Sequence, residues 1–276
     1  MAVTLSEARL AIFLTGVTGG LVDTDVLTVV NHDELRAAVR KELESSSLRD
    51  HMDLLNSKNQ LNNACNVAAD FGHAQGFEYQ KIYAMLTIFF FHAEDILEHQ
   101  PDTIHNLQLR LATGTPLGDP PLTLDATVYP QASNFPEWLR FKTGLSPMYA
   151  LLALARNSDV RCEPTGSLAK YIQTLPDVII FTNIVNDVVS FYKEYSAGEK
   201  GNYLDMRAEK DGIEVIRAQR VLADEGITVY KRIVATLADE PEYRANFEAY
   251  ARGSTHFHTS SPRYRLRELF PKPGQS

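Results

Sequence analysis

A chain of 276 residues with 44% hydrophobic and 22% charged side chains can bury a sizeable core, as one large domain or two small ones. Its formal net charge of −8, with no dense basic run, argues against nucleic acid as the main partner. Two cysteines, Cys65 and Cys162, make no disulfide framework and read as small buried fillers in a reducing compartment.

From the N-terminus, the apolar patch Leu10 to Val17 is preceded by Glu7, has no basic n-region and stops at Gly19 and Gly20. It reads as a core segment, too short for a membrane span and unlike a signal peptide, so a cytoplasmic protein is expected. Leu27–Val30 is the best strand candidate, and it is isolated. Apolar residues then recur at three- and four-residue steps over 33–45, 48–70, 76–99, 135–157, 167–196, 212–238 and 241–258. Asp33 is a candidate cap for the first helix, with Arg36 where a capping box would place Glu or Gln. Between Thr113 and Pro136 lie five prolines (116, 120, 121, 130 and 136) with Gly114 and Gly118, so this stretch must be loop or short extended pieces. The pattern predicts an all-α fold, with residues 1–276 forming a single helical domain that contains the Pro-rich loop.

Four short segments carry chemistry. Glu94, Asp95 and Glu98 end an apolar, aromatic-rich helix, with Glu94 and Glu98 on one face; alone, such a cluster is more often a solvated helix end. Arg140 stands on a helix ahead of Thr143 and Gly144, where a helix break would expose backbone carbonyls. The run Asn186 to Glu194, NDVVSFYKE, places an amide, a hydroxyl and a carboxylate (Asn186, Ser190, Glu194) at four-residue intervals. In a helix they span about 80° of arc and about 12 Å of axis. Three hard oxygen donors on one face suit Mg²⁺, and Lys193 adds a cation where a phosphate oxygen would lie. A solvated polar stripe would explain the charges but not the apolar residues around them. Arg263 and Tyr264 follow the His256-Phe257-His258 helix end; the two histidines show no zinc spacing and read as surface or loop-packing residues.

NDVVSFYKE resembles the second metal motif of class I terpene cyclases, and its SFYKE tail is closest to the trichodiene-synthase-like group. Glu94-Asp95-Ile96-Leu97-Glu98 resembles the aspartate-rich motif of the same enzymes, with Glu94 where the family carries its leading Asp. The resemblance implies that Arg140 is the diphosphate sensor, Thr143 the linker and Gly144 the effector carbonyl. It implies likewise that Arg263 and Tyr264 are the closing pair that hydrogen-bonds the departing diphosphate. It runs in order over roughly residues 76–270. Only 41 residues, 99–139, separate Glu98 from Arg140, which is short for the family. Either another segment, from the N-terminal 70 residues or a second subunit, closes the cavity, which leaves room for a homodimer, or the site is more open.

The activity so implied is Mg²⁺-dependent ionisation of farnesyl diphosphate, or a similar prenyl diphosphate, and cyclisation to a sesquiterpene. Three Mg²⁺ ions would be assembled by Glu94, Asp95, Glu98, Asn186, Ser190 and Glu194, with Arg140, Lys193, Arg263 and Tyr264 on the diphosphate. Aromatic faces stabilise a carbocation by about 0.5–2 kcal/mol each, and Tyr83, Phe89, Phe90, Phe91, Phe181 and Trp138 are candidates, though each alone is more often plain core. A non-catalytic diphosphate binder of the same descent is the second reading, motivated by Glu94 and the short middle. A chain-elongating prenyltransferase would carry a second Asp-rich motif, and a generic helical interaction protein would leave four motif matches to chance.

Overall fold

A computed structural model describes residues 32–99 except 47, 58 and 74, and residues 128–269 except 130, 144–145 and 155–167. Among these, all regular secondary structure is helical, so the fold is all-α. The Leu10–Val17 and Leu27–Val30 segments, Cys162 and residues 113–127 lie outside the described residues. Two compact units divide the chain, one holding the helices between 33 and 99, the other those between 135 and 269.

In the first unit, α1 (Asp33–Glu44) buries Leu35, Val39 and Leu43, one stripe at four-residue steps. Asp33 is its first helical residue rather than its cap: His32 holds that place without a side-chain bond. Asp33 acts instead through the favourable field of the helix N-terminus. The helix expected over 48–70 is divided into a 3-10 turn (Arg49–His51), α2 (Met52–Ser57) and α3 (Gln60–Phe71). Asn59, left-handed at φ 55°, makes the break before α3; Asn tolerates that conformation as a single residue. Gly72 then lets α4 (Phe77–His99) pack against α3. A Cβ at 72 would lie 2.8 Å from the Ala68 carbonyl oxygen and 3.2 Å from the Tyr83 ring, so only glycine fits. Cys65 is fully buried and free, and burial pushes its thiol up to about 11, which makes it an inert filler.

The second unit is built around α7 (Leu168–Ala197), with α5 (Phe135–Thr143), α6 (Ser146–Ala153), α8 (Tyr203–Asp211), α9 (Val215–Thr236) and α10 (Pro241–Ser260) all in contact with it. Two 3-10 turns, Pro262–Tyr264 and Leu266–Glu268, follow. Helix α7 is long and apolar enough to cross a bilayer by length and composition. Many of its apolar residues are nevertheless buried inside the unit: Val178, Phe181, Val185, Val188 and Val189 are each at most 1% exposed, while Ile172 and Ile180 are exposed. Pro176 lies within it and withholds one ladder N–H from the carbonyl of Ile172. The Ser146 hydroxyl, buried, donates to Asn183 Oδ1 at 2.7 Å and ties α6 to α7.

Phe181 is fully buried, edge-on to Phe247 at 5.4 Å and tilted against Tyr230 at 6.0 Å. Removing such a ring leaves a cavity, so Phe181→Ala should lower stability by about 3–5 kcal/mol in denaturant unfolding. A loss under 1 kcal/mol would show that the cluster is loosely packed. Helix α8 was not expected from apolar periodicity; Asn202 starts it as a side-chain cap, and Gly212, left-handed at φ 60°, ends it.

Candidate active site

The polar face of α7 is assembled where its neighbours converge on its C-terminal half. Ser190 is 4% exposed, and its hydroxyl bonds to the Glu194 carboxylate. Burial pushes the Glu194 carboxyl above the ordinary carboxylate range, against the pull of Ser190 and Lys193. Lys193 Nζ stands 4.0 Å from Glu194 Oε1, beyond a normal hydrogen bond, and equally far from Glu199.

Arg140, on α5, reaches the same face. Its Nε donates to Asp187 Oδ2 at 2.8 Å and to Oδ1 at 3.1 Å, and its Nη2 donates to Asn186 Oδ1 at 3.3 Å. Both members of the ion pair are largely buried, with side chains 18% and 12% exposed. Burial pushes the Asp187 carboxyl up and the guanidinium draws it back, so each charge depends on the other. Two of the five guanidinium N–H donor groups serve these bonds, so the fork also has donors for an anion.

His258 completes the arrangement from α10. It is 5% exposed, so it is no surface residue, in contrast to the sequence expectation; His256 is half-buried. Its Nδ1 lies 2.6 Å from the Ser254 carbonyl, which can only accept, so Nδ1 carries the proton. Nε2 then offers a lone pair to the Asn186 amide Nδ2 at 3.4 Å. Burial holds the imidazole down at about 4, so it is neutral near pH 7. The amide of Asn186 is thereby set from both ends, its nitrogen on His258 and its oxygen beside Arg140.

Tyr264 is buried at 7% exposure, its ring 4.6 Å from that of His258, and its 3-10 turn packs on α7. Arg263, next to it, is exposed, and its charge helps to hold His258 neutral. The structure therefore brings Arg140, Asn186, Ser190, Glu194 and Tyr264 to one helix and its neighbours, with Lys193 beside Glu194. Phe181 sits in the aromatic core of this unit. In the other unit Tyr83 is fully buried, Phe89 is 57% exposed and Phe90 half-buried. Glu94, Asp95 and Glu98 lie on the last turns of α4, with side chains outside the described residues; Gly144 also lies outside them.

Asp187 is the counter-charge that a buried Arg140 demands, a partner that the motif spacing alone does not reveal. For His258 the signal was the register of α10: Phe247, Ala251, Ser254 and His258 fall on one buried face. Among the described residues no group of three His, Cys, Asp or Glu could hold a metal. A cation at α7 must therefore take the amide and hydroxyl oxygens along with one carboxylate. That donor set fits Mg²⁺, and a desolvated Glu194 with its nearest lysine 4.0 Å away is suited to a metal partner.

The all-α fold and the chain's sequence relatives together place it in the terpene synthase class of protein. Residues 124–276 match the family model for trichodiene synthase (TRI5), more than half of the chain, and the chain belongs to that family. The match takes in Arg140, the 186–194 motif and Arg263-Tyr264; Glu94 to Glu98 precede it. Alpha-cuprenene synthase COP6 of Coprinopsis cinerea is 35% identical over 146 residues, 53% of this chain and 42% of that protein. Monoterpene synthase 25 of Postia placenta is 35% identical over 145 residues, 52% of this chain and 41% of its own. An (E)-beta farnesene synthase of Metarhizium brunneum is 31% identical over 144 residues, 51% of this chain and 42% of its own. The matched part spans about two-fifths of the length of each of these relatives.

Proposed function

We infer that the chain is a Mg²⁺-dependent class I terpene cyclase that ionises farnesyl diphosphate and closes the carbocation to a sesquiterpene, releasing diphosphate. The observation that carries this reading is the α7 face: Asn186, Ser190 and Glu194 in one row, with Arg140 fixed beside Asn186 by Asp187. Asn186, Ser190 and Glu194 would hold magnesium, which supplies Lewis-acid neutralisation of charge on the leaving diphosphate. Arg140, with a permanently charged planar fork, is suited to bind phosphate oxygens; Arg263 adds a second fork, Lys193 an ammonium and Tyr264 a neutral phenol donor. Asp187 keeps the guanidinium oriented before substrate arrives, so little reorganisation is left for the reaction itself. The reading also assigns metal ligation to Glu94, Asp95 and Glu98 and the carbonyl role to Gly144, on sequence pattern alone. Phe89, Phe90, Tyr83 and Phe181 are assigned to the hydrocarbon on the same ground, and three Mg²⁺ ions and a cytoplasmic homodimer complete it.

Relatives named for a farnesene and for monoterpenes both occur, so two chain lengths are tested together. Purified protein incubated with Mg²⁺ and geranyl or farnesyl diphosphate should yield a terpene by gas chromatography together with inorganic diphosphate, and EDTA should abolish both. Neither product from either substrate would overturn the reading. Diphosphate-dependent Mg²⁺ binding without turnover would favour the binder reading that Glu94 motivates.

A further inference from the structure

We propose that Asn202 is a positioning residue for Glu194, and that it sets the carboxylate through the cap of the following helix. This deepens the metal-site reading above and rests on it.

Helix α7 ends at Ala197, and Gly198 is left-handed at φ 73°. The Glu199 N–H then donates back to the Glu194 carbonyl at 3.0 Å, closing the helix end. Gly201, left-handed at φ 77°, turns the chain a second time, and its N–H donates to Asp205 Oδ2 at 2.8 Å. Two left-handed glycines in four residues thus return Asn202 to the side of α7 that it has just left. At Asn202 the backbone is extended (φ −75°, ψ 175°), and the side chain faces two ways. Oδ1 accepts from the Asp205 N–H at 3.0 Å, as the cap of α8, and Nδ2 donates to Glu194 Oε2 at 3.2 Å.

The two bonds fix each other. A backbone N–H can only donate, so Oδ1 must face Asp205, and this turns Nδ2 toward the carboxylate. The bond to Glu194 engages Oε2, while Lys193 stands 4.0 Å from Oε1. Glu194 is therefore held on one edge by an amide that is itself anchored on a helix N-terminus. The far end of α8 is anchored as well: Lys210 binds Glu137 of α5 at 2.7 Å, one turn before Arg140. A partner of this kind restricts the rotamers of a metal-ligating carboxylate and improves the affinity of the ion that it holds.

Asn202→Ser separates the two jobs of the side chain, because serine caps a helix as well as asparagine but has no amide to reach Glu194. Asn202→Thr does the same with a slightly weaker cap. In the full chain, Mg²⁺ titrated calorimetrically in the presence of inorganic diphosphate should bind about 10–100-fold more weakly to both variants. Their melting temperatures without Mg²⁺ should stay within about 2 °C of the parent, since the cap is retained. Parent-like Mg²⁺ affinity in either variant overturns the positioning role and leaves the metal-site reading standing. Lowered affinity matched by an equal loss of thermal stability in both variants overturns it too, as the effect is then structural. A parent chain that binds no Mg²⁺ with diphosphate, and is indifferent to Glu194→Ala, overturns both.

Discussion

Replacing Glu194 with glutamine is expected to reduce turnover of the prenyl diphosphate by about 10²–10³-fold while leaving the apo protein as stable as before, or more so. The two halves of this outcome have one cause. Burial raises the Glu194 pKa in the fold, so its ionised form is disfavoured there relative to the unfolded chain. For such a group the contribution to stability is full below the unfolded pKa and is lost as pH rises through the folded one. At neutral pH an isosteric, uncharged side chain removes that cost. What glutamine lacks is the negative charge that would hold a hard cation in the proposed function, and removing a preorganised electrostatic group of this kind costs turnover by the stated factor. Thermal melts with and without Mg²⁺ plus diphosphate check it: the parent should gain stability on addition and Glu194→Gln should not. A variant that turns over normally would take Glu194 out of the site.

The second large effect concerns stability. Asp187→Ala strips the buried Arg140 guanidinium of its carboxylate partner, and an uncompensated buried charge costs about 3–5 kcal/mol. At about 2–4 °C per kcal/mol for a domain of this size, the melting temperature should fall by roughly 6–20 °C. Arg140→Met combined with Asp187→Leu replaces both charges with apolar bulk and should recover most of the loss, because burying an ion pair is itself costly. The double variant should remain inactive, having no cation to offer a phosphate. A thermal scan of Arg140→Met, Asp187→Leu and the double variant closes the cycle; additive losses would mean that the two charges are not coupled in the fold.

Much of this architecture is legible in the residues. The helical fold follows from three- and four-residue apolar spacing, and the Asn186, Ser190, Glu194 row from a four-residue step inside an apolar helix. What could not be read depends on partners distant in the chain. His258 looks like a helix-end polar residue until α10 packs on α7 and its Nε2 meets Asn186. Asn202 looks like a loop residue until Gly198 and Gly201 turn it back toward Glu194. Helix α8 itself is short and polar, so periodicity is weak there; the Asn202 and Gly212 boundary residues carried the stronger signal. The break between α2 and α3 was hidden for a similar reason, since asparagine at 59 gives little warning of a left-handed turn.

Pro176 bears on how α7 can tolerate motion. The carbonyl of Ile172 loses its ladder partner there, and Ile172 is 54% exposed, so water can take the vacant place. Asn186 lies ten residues further on, about 15 Å along the axis. Fraying that begins at the proline would have to pass the buried Val178, Phe181 and Val185 before it reached the ligand row. The helix thus divides at its proline, and three buried apolar side chains stand between its opening turns and the proposed ligand oxygens.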